Sequence, residues 1–140
     1  MTGSYCQLNL SSTSKIMLQD FMKQFSGRGK LIHAKEYHCT VMYSRVPVRP
    51  MKISTPISAR IDGYDIFDDH LLVATLRCPQ AESIFETFKS RGATWDFASF
   101  IPHITLAANW KGPLPIRLPP NTIWFDSYTF ETLNTEYVYK

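Results

Sequence analysis

No apolar run in the chain approaches membrane length, so nothing in it reads as a spanning helix. The opening MTGSYCQLNLSSTSK has no basic segment followed by an apolar one, and no secretory leader is expected. Cysteine is sparse: Cys6, Cys39 and Cys78 are odd in number, widely spaced and without a C-x-x-C, which argues against a disulfide framework and a zinc knuckle. Charge of one sign is scarce too. The formal net charge is +3 with Lys and Arg scattered, a poor fit to a long polyanion gripped at many phosphates but compatible with a small anion. Low-complexity tracts and domain linkers are missing. The expectation is a soluble, unprocessed protein of a reducing cytosol, bound to no membrane and no long nucleic acid.

What is present is enough for one core. The 140 residues, 44% hydrophobic and 19% charged, fit a single domain spanning 1–140 without disulfides or structural metal. Aromatics at 14% are high, leaving rings to spare for surface contacts.

SYCQLNL (Ser4 to Leu10) alternates Tyr5, Gln7 and Asn9 against Cys6, Leu8 and Leu10, the period of a half-buried strand. SSTS supplies helix caps at Ser11 to Ser14. Met17, Leu18, Phe21, Met22 and Phe25 then recur at helical spacing until Gly27 and Gly29. HCTVMYS (His38 to Ser44) reads as a strand ended by a proline-bearing stretch. Ile57 to Phe67 and His70 to Cys78 read as a hairpin turning at Asp68 and Asp69. Pro79 opens a second helix with Ala81, Ile84, Phe85 and Phe88 on one face, ending at Gly92. HITLA from His103 is a strand, and after a proline-rich loop TIWFDSYTFETL is β-rich, with EYVY a further candidate strand.

Shifting the chain by 65 residues superposes His38 on His103, Thr40 on Thr105, Gly27 on Gly92, and Tyr5 to Leu10 on His70 to Thr75. The order strand, helix, glycine, loop, H-x-T strand therefore occurs twice, the mark of a structural duplication. Chance matching of two βα units is the bland alternative. Side chains alternate along a strand, so each His shares a face with its Thr while Cys39 and Val41, or Ile104 and Leu106, turn to the core.

Halves related by a pseudo-twofold axis would place both pairs on one cleft. Two imidazoles flanking a phosphorus suit in-line attack, one taking the nucleophile's proton and the other protonating the leaving oxygen. The threonine hydroxyls would bind the non-bridging oxygens. No metal or cofactor is required.

With HCT at His38 to Thr40 and HIT at His103 to Thr105, the chain resembles the 2H phosphoesterase superfamily, defined by two H-x-[ST] motifs in pseudo-symmetric lobes. Within it, HCTVMYSR and SRGATWDFASFIPHITLA most resemble phage-encoded anti-CBASS phosphodiesterases, which degrade cyclic oligonucleotide alarm signals. The resemblance implies an α+β fold of two pseudo-symmetric β-α-β lobes with antiparallel sheets flanking a central cleft. It implies metal-independent cleavage of a cyclic di- or trinucleotide at a 3′,5′-phosphodiester through 2′-hydroxyl attack, leaving a 2′,3′-cyclic phosphate. His38 and His103 become the acid/base pair, in either order, and Thr40 and Thr105 the phosphate ligands. A phage-encoded protein of this kind would work in the host bacterial cytosol.

Bases need aromatic platforms and a few polar edge contacts. The substrate-binding candidates are Tyr5 on the polar strand face, Phe67 or Tyr64 near the hairpin, Tyr137 near the C-terminus, and Glu131 as acceptor for a base amino group. Trp95 and Phe97 precede the second motif, and Arg45 and Lys111 are candidate phosphate cations. Rival readings are a 2H enzyme of 2′,5′-oligonucleotides or RNA ends, a non-catalytic nucleotide-binding module, and a metal site of His38, His103 and Cys39. Against the last, Cys39 points to the face opposite His38.

Overall fold

The period-two run near the N-terminus forms β1 (Thr2–Leu10) in the computed structural model, which describes residues 2–134. Cys6, Leu8 and Leu10 are buried while Tyr5, Gln7 and Asn9 stay half-exposed on the other face, as the alternation requires. Helix α1 (Ser12–Met22) starts where the Ser11 hydroxyl accepts from the Ser14 N–H at 3.2 Å. It is shorter than the apolar spacing predicts. After Met22 the chain tightens into a 3-10 turn, Lys23–Arg28, where Phe25 leaves helical geometry and sets its ring edge against Trp110.

β2 (Lys30–Leu31) and β3 (His38–Ser44) follow, then β4 (Ile57–Phe67) and β5 (Leu71–Arg77) as the expected hairpin. Asp68 and Asp69 hold φ of 52° and 65°, left-handed conformations inside the turn that the His70 N–H closes on the Phe67 carbonyl before Leu71 pairs with Phe67. Helix α2 (Pro79–Ser90) ends at Gly92, φ +99°, where the Gly92 and Ala93 N–H groups bond the Lys89 and Phe88 carbonyls. Gly92 is thus a true helix stop. Gly27 is not, since it lies inside the 3-10 turn, so that part of the superposition is coincidence. β6 (His103–Ala108) and β7 (Ile123–Asn134) complete the described strands, and EYVY lies outside the described residues.

Among the described residues the strands join in the order β2-β6-β5-β4-β7-β1-β3, with every pairing antiparallel. Apart from the two-residue β2 at the free edge of β6, two three-stranded units result, β3-β1-β7 and β6-β5-β4, each completed by a strand from the other half of the chain. They meet where Ile57–Ala59 of β4 pairs with 123–125 of β7. Both helices bury their apolar faces, Leu18 and Met22 or Ala81, Ile84 and Phe88, in the core shared with Leu8, Cys39, Ile104 and Leu106. That leaves the opposite sheet face for His38, Thr40, His103 and Thr105.

The duplication is most exact in its irregularities. An extra residue interrupts β3 at Val41, against Cys6 and Gln7, and β6 at Leu106, against Leu72 and Val73. A second extra residue is Asp126 in β7, beside Asn9 and Leu10, and Asp62 in β4, beside Leu76 and Thr75. Matched bulges next to both H-x-T runs are features of a shared architecture. They also correct the register. Asn9 pairs with His38 and Thr75 with His103, so β1 maps onto β5 at 66 residues, whereas the motif strands map at 65. A uniform 65 would have matched half-exposed Asn9 with fully buried Ala74, on the wrong face of the sheet.

Candidate active site

β3 lies beside β6 at the floor of the cleft. The two imidazoles are held the same way: His38 Nδ1 is 2.7 Å from the Glu36 carbonyl and His103 Nδ1 is 2.8 Å from the Ile101 carbonyl. A carbonyl only accepts, so each Nδ1 carries the proton and, in the neutral ring, Nε2 keeps a free lone pair. The other two histidines are structural. His33 Nδ1 accepts from the Lys35 N–H in a 3-10 turn, and His70 Nδ1 accepts from the Asn109 N–H.

The walls of the two lobes differ. Beside His38 the wall is polar and bonded end to end. Tyr5 Oη lies 3.0 Å from Thr40 Oγ1 and donates to Gln7 Oε1 at 2.8 Å. Gln7 Nε2 donates to Asn9 Oδ1 at 2.7 Å, and Asn9 Nδ2 donates to Ser127 and Thr129 hydroxyls on β7 at 3.2 and 3.0 Å. Beside His103 the equivalent wall is Leu71, Val73 and Thr75, with Val73 fully buried. Phe67 sets its ring edge-on to His103 at a centroid distance of 4.6 Å.

A cleft of about 500 Å³ runs over Thr40, His103 and Thr105, between Tyr43 and Phe67, and is roofed by the 93–102 loop through Trp95, Phe97 and Ser99. The roof is anchored on both sides. Trp95 packs edge-on against Phe85 of α2 and donates to the Ser99 carbonyl at 3.0 Å. Asp96 takes a two-pronged bond from Arg45, at the end of β3, at 2.9 and 3.2 Å.

Burial lowers the pKa of His103, helped by the nearby His38 charge and opposed by the hydrogen bond to Ile101. His103 is therefore held neutral to lower pH than a free imidazole. Burial, with a contribution from the Glu131 charge, pushes the Tyr5 phenol up to about 12, so it stays a neutral hydroxyl.

Of the residues singled out from sequence, His38, Thr40, His103 and Thr105 share one face; Thr40, His103, Thr105 and Phe67 line the cleft, and His38 lies near enough for its charge to act on His103. Tyr5 reaches the cleft through Thr40, and Glu131 stands opposite Tyr5 on β7, exposed. Tyr137 lies outside the described residues. Tyr64 turns away from the cleft: it packs on the core and donates to the Arg117 carbonyl at 2.7 Å. Trp95 and Phe97 line the cleft, whereas Arg45 is engaged by Asp96 and Lys111 does not line it. Cys39 is buried on the opposite face with its thiol pushed up to about 12, an environment unlike that of a metal thiolate. Among the described residues no three His, Cys, Asp or Glu side chains gather as metal ligands would. Sequence reasoning left Gln7, Asn9 and Tyr43 without roles. The alternation had placed the first two on the polar face, but only the sheet pairing shows what they bond.

The family model described as Anti-CBASS protein Acb1 matches residues 2–140. The chain belongs to the anti-CBASS Acb1 family. It is 29% identical to the Acb1 of Vibrio phage KVP40 over 109 residues, 75% of this chain and 72% of the relative. To the Acb1 of Acinetobacter phage Ac42 it is 30% identical over 112 residues, with the same shares covered. Two solved structures of Escherichia coli LigT share its fold at 12% identity. The complex with 3′-AMP has a TM-score of 0.64 and covers 92% of this chain and 85% of LigT; that with NADP+ has 0.65, 92% and 86%. The anti-CBASS resemblance read from HCTVMYSR and SRGATWDFASFIPHITLA is borne out. This Acb1 family member is an anti-CBASS phosphodiesterase, and among its described residues no helix is long and apolar enough to cross a membrane.

Proposed function

We propose that residues 1–140 act as one domain that cleaves the 3′,5′-phosphodiester of a cyclic di- or trinucleotide immune signal in the host cytosol. The observation that carries this reading is the pair of imidazoles, each fixed through Nδ1 with Nε2 left over, His103 in the cleft and His38 near enough for its charge to act on His103. His103, the ring held neutral by burial, takes the proton of the ribose 2′-hydroxyl. The 2′-oxygen attacks the adjacent phosphorus, the bond from phosphorus to O5′ breaks, and His38 protonates O5′. The product is a linear nucleotide ending in a 2′,3′-cyclic phosphate. Thr40 and Thr105 donate to the non-bridging oxygens as charge builds on them. No metal or cofactor takes part in these steps.

The bases are held by stacking on Phe67, Tyr5 and the roof residues Trp95 and Phe97, with Glu131 accepting from a base amino group and Tyr137 closing the site. The relatives' names support a role against CBASS, and the LigT complexes with 3′-AMP and NADP+ support a fold able to hold nucleotides. The test is incubation, with EDTA present, against cyclic dinucleotides, cyclic trinucleotides, 2′,5′-oligoadenylate and tRNA fragments, with products resolved by chromatography. Ring opening of a cyclic oligonucleotide to a 2′,3′-cyclic phosphate is expected. Processing of tRNA ends alone would replace this reading with RNA repair, and recovery of every ligand intact would replace it with a binding module.

A further inference from the structure

The two motif threonines have unequal surroundings. Thr105 has no side-chain hydrogen-bond partner among the described residues, so its hydroxyl can turn to a phosphate at once. Thr40 sits at the end of the chain Tyr5, Gln7, Asn9, Ser127 and Thr129. A hydroxyl has one proton to give. Tyr5 gives its proton to Gln7 Oε1, so the 3.0 Å contact with Thr40 runs from Thr40 to Tyr5. In that direction the Thr40 proton points away from the cleft and its lone pairs face the substrate, the wrong polarity for an anion.

Every link of the chain can be reversed. Exchange of the oxygen and nitrogen positions of the Asn9 and Gln7 amides leaves the heavy atoms where they are. Ser127 and Thr129 then donate to Asn9, Asn9 to Gln7, Gln7 to Tyr5 and Tyr5 to Thr40, which frees the Thr40 proton for the phosphate. Hydrogen bonds in such a series polarise one another, so the reversed chain strengthens the final donor.

We propose that Gln7 and Asn9 are positioning residues that set which way the Thr40 hydroxyl donates, through a hydrogen-bond chain complete in two opposite directions. A bound phosphodiester selects the direction in which Thr40 donates to it. The opposite wall has apolar Leu71 and Val73 at the corresponding places and cannot carry such a chain.

The proposal rests on the reading of Thr40 as a phosphate ligand, and carboxylate substitution tests it separately. A carboxylate at position 7 can only accept, so Gln7→Glu locks Tyr5 into donating outward and Thr40 into donating to Tyr5. Gln7→Leu cuts the chain and lets Tyr5 donate to Thr40. On whichever phosphodiester the wild type cleaves, Gln7→Glu is expected to lower kcat about 100-fold with KM within about threefold, the scale of one lost transition-state donor. Gln7→Leu should lower kcat by less than about tenfold, although it is the less conservative change. In a Tyr5→Phe background, which disconnects the chain from Thr40, adding Gln7→Glu should cost no more than about threefold.

Asn9→Asp applies the same lock one link further out and serves if Gln7→Glu does not fold. Equal losses in Gln7→Glu and Gln7→Leu would overturn the proposal. So would a penalty that persists with Tyr5→Phe, which would mean charge repulsion through space. If the wild type cleaves nothing, the functional reading fails, and the chain is read instead by NMR. The Asn9 side-chain NH₂ should show contacts to Thr129 in the free protein and to Gln7 with inorganic phosphate bound. An Asn9 amide that keeps one orientation throughout would sink the proposal.

Discussion

The two lobes place the same residues on the same bulged strands and then surround them differently. In the β3-β1-β7 unit the face beside His38 is a row of hydroxyl and amide groups bonded to one another. In the β6-β5-β4 unit the face beside His103 is Leu71, buried Val73 and the Phe67 ring. A duplicated scaffold therefore supplies symmetry of position, and the neighbours remove symmetry of chemistry. One histidine sits against hydrocarbon and is held neutral; the other sits by a polar row. A reaction that takes one proton and gives another needs that inequality.

The largest effect should come from breaking the pair. His38→Ala or His103→Ala is expected to lower turnover by roughly 10²- to 10⁴-fold, the scale of one general acid or base. With both rings acting on one phosphate, as proposed, the double variant should fall little below the worse single one. Single variants that each keep half of the wild-type rate would instead mean two independent sites, and the lobes would be repeats without cooperation.

Next come the threonines. Thr105→Val should lower kcat by about 10²- to 10³-fold, as loss of one preorganised donor does. Thr40→Val should fall at the low end of that range, about 10²-fold, because that hydroxyl must be turned away from Tyr5 before it donates. A steady-state comparison of the two variants, with circular dichroism to confirm folding, checks the order. The reverse order would shift the greater charge stabilisation to the polar lobe.

Much of this arrangement was legible in the sequence. His38, Thr40, His103 and Thr105 could be placed on one face because strand alternation is local and strict. The 65-residue repeat, together with the strands and helices around it, pointed to both lobes. What was not legible depends on pairing between distant strands. The bulges at Val41 and Leu106 shift each motif strand against its neighbour by one residue, and no local signal announces them. The partners of Gln7 and Asn9 lie 118 to 120 residues away on β7 or two positions along β1. Arg45 read as a free cation until the fold brought Asp96 to it.

The inequality of the two histidines can itself be tuned. Burial lowers the His103 pKa, and the Phe67 ring is part of what excludes water from it. Because the base must be neutral, activity is lost as pH falls through the His103 pKa, which lies below the ordinary imidazole value of about 6.5. Phe67→Ala admits water, raises that pKa and should move the acid limb of the kcat/KM profile upward. Stability follows the same sign. A folded-state pKa below the unfolded one gives stability that is present above about 6.5 and is lost as pH falls through the folded value. The variant should show less of that acid loss. An acid limb that stays put would detach His103 from the base role.

The smallest effect expected concerns the joint between lobes. Arg45 leaves the end of β3, and Asp96 sits in the 93–102 loop that carries Trp95 and Phe97 over the cleft, so this ion pair ties the roof to the opposite lobe. The Arg45 side chain is 53% exposed, so water screens the pair and Arg45→Ala should cost at most about 1 kcal/mol of stability. Its consequence for substrate should be clearer. The Thr94 hydroxyl still accepts from the backbone N–H of residue 45, so the loop stays attached at its start while the roof residues beyond it loosen. KM should rise a few-fold with kcat nearly unchanged, because substrate contacts weaken while the histidines and threonines keep their places. A fall in kcat with KM constant would show that the roof orders the reacting groups themselves, and the two lobes would then be coupled through it as well as through the phosphate between them.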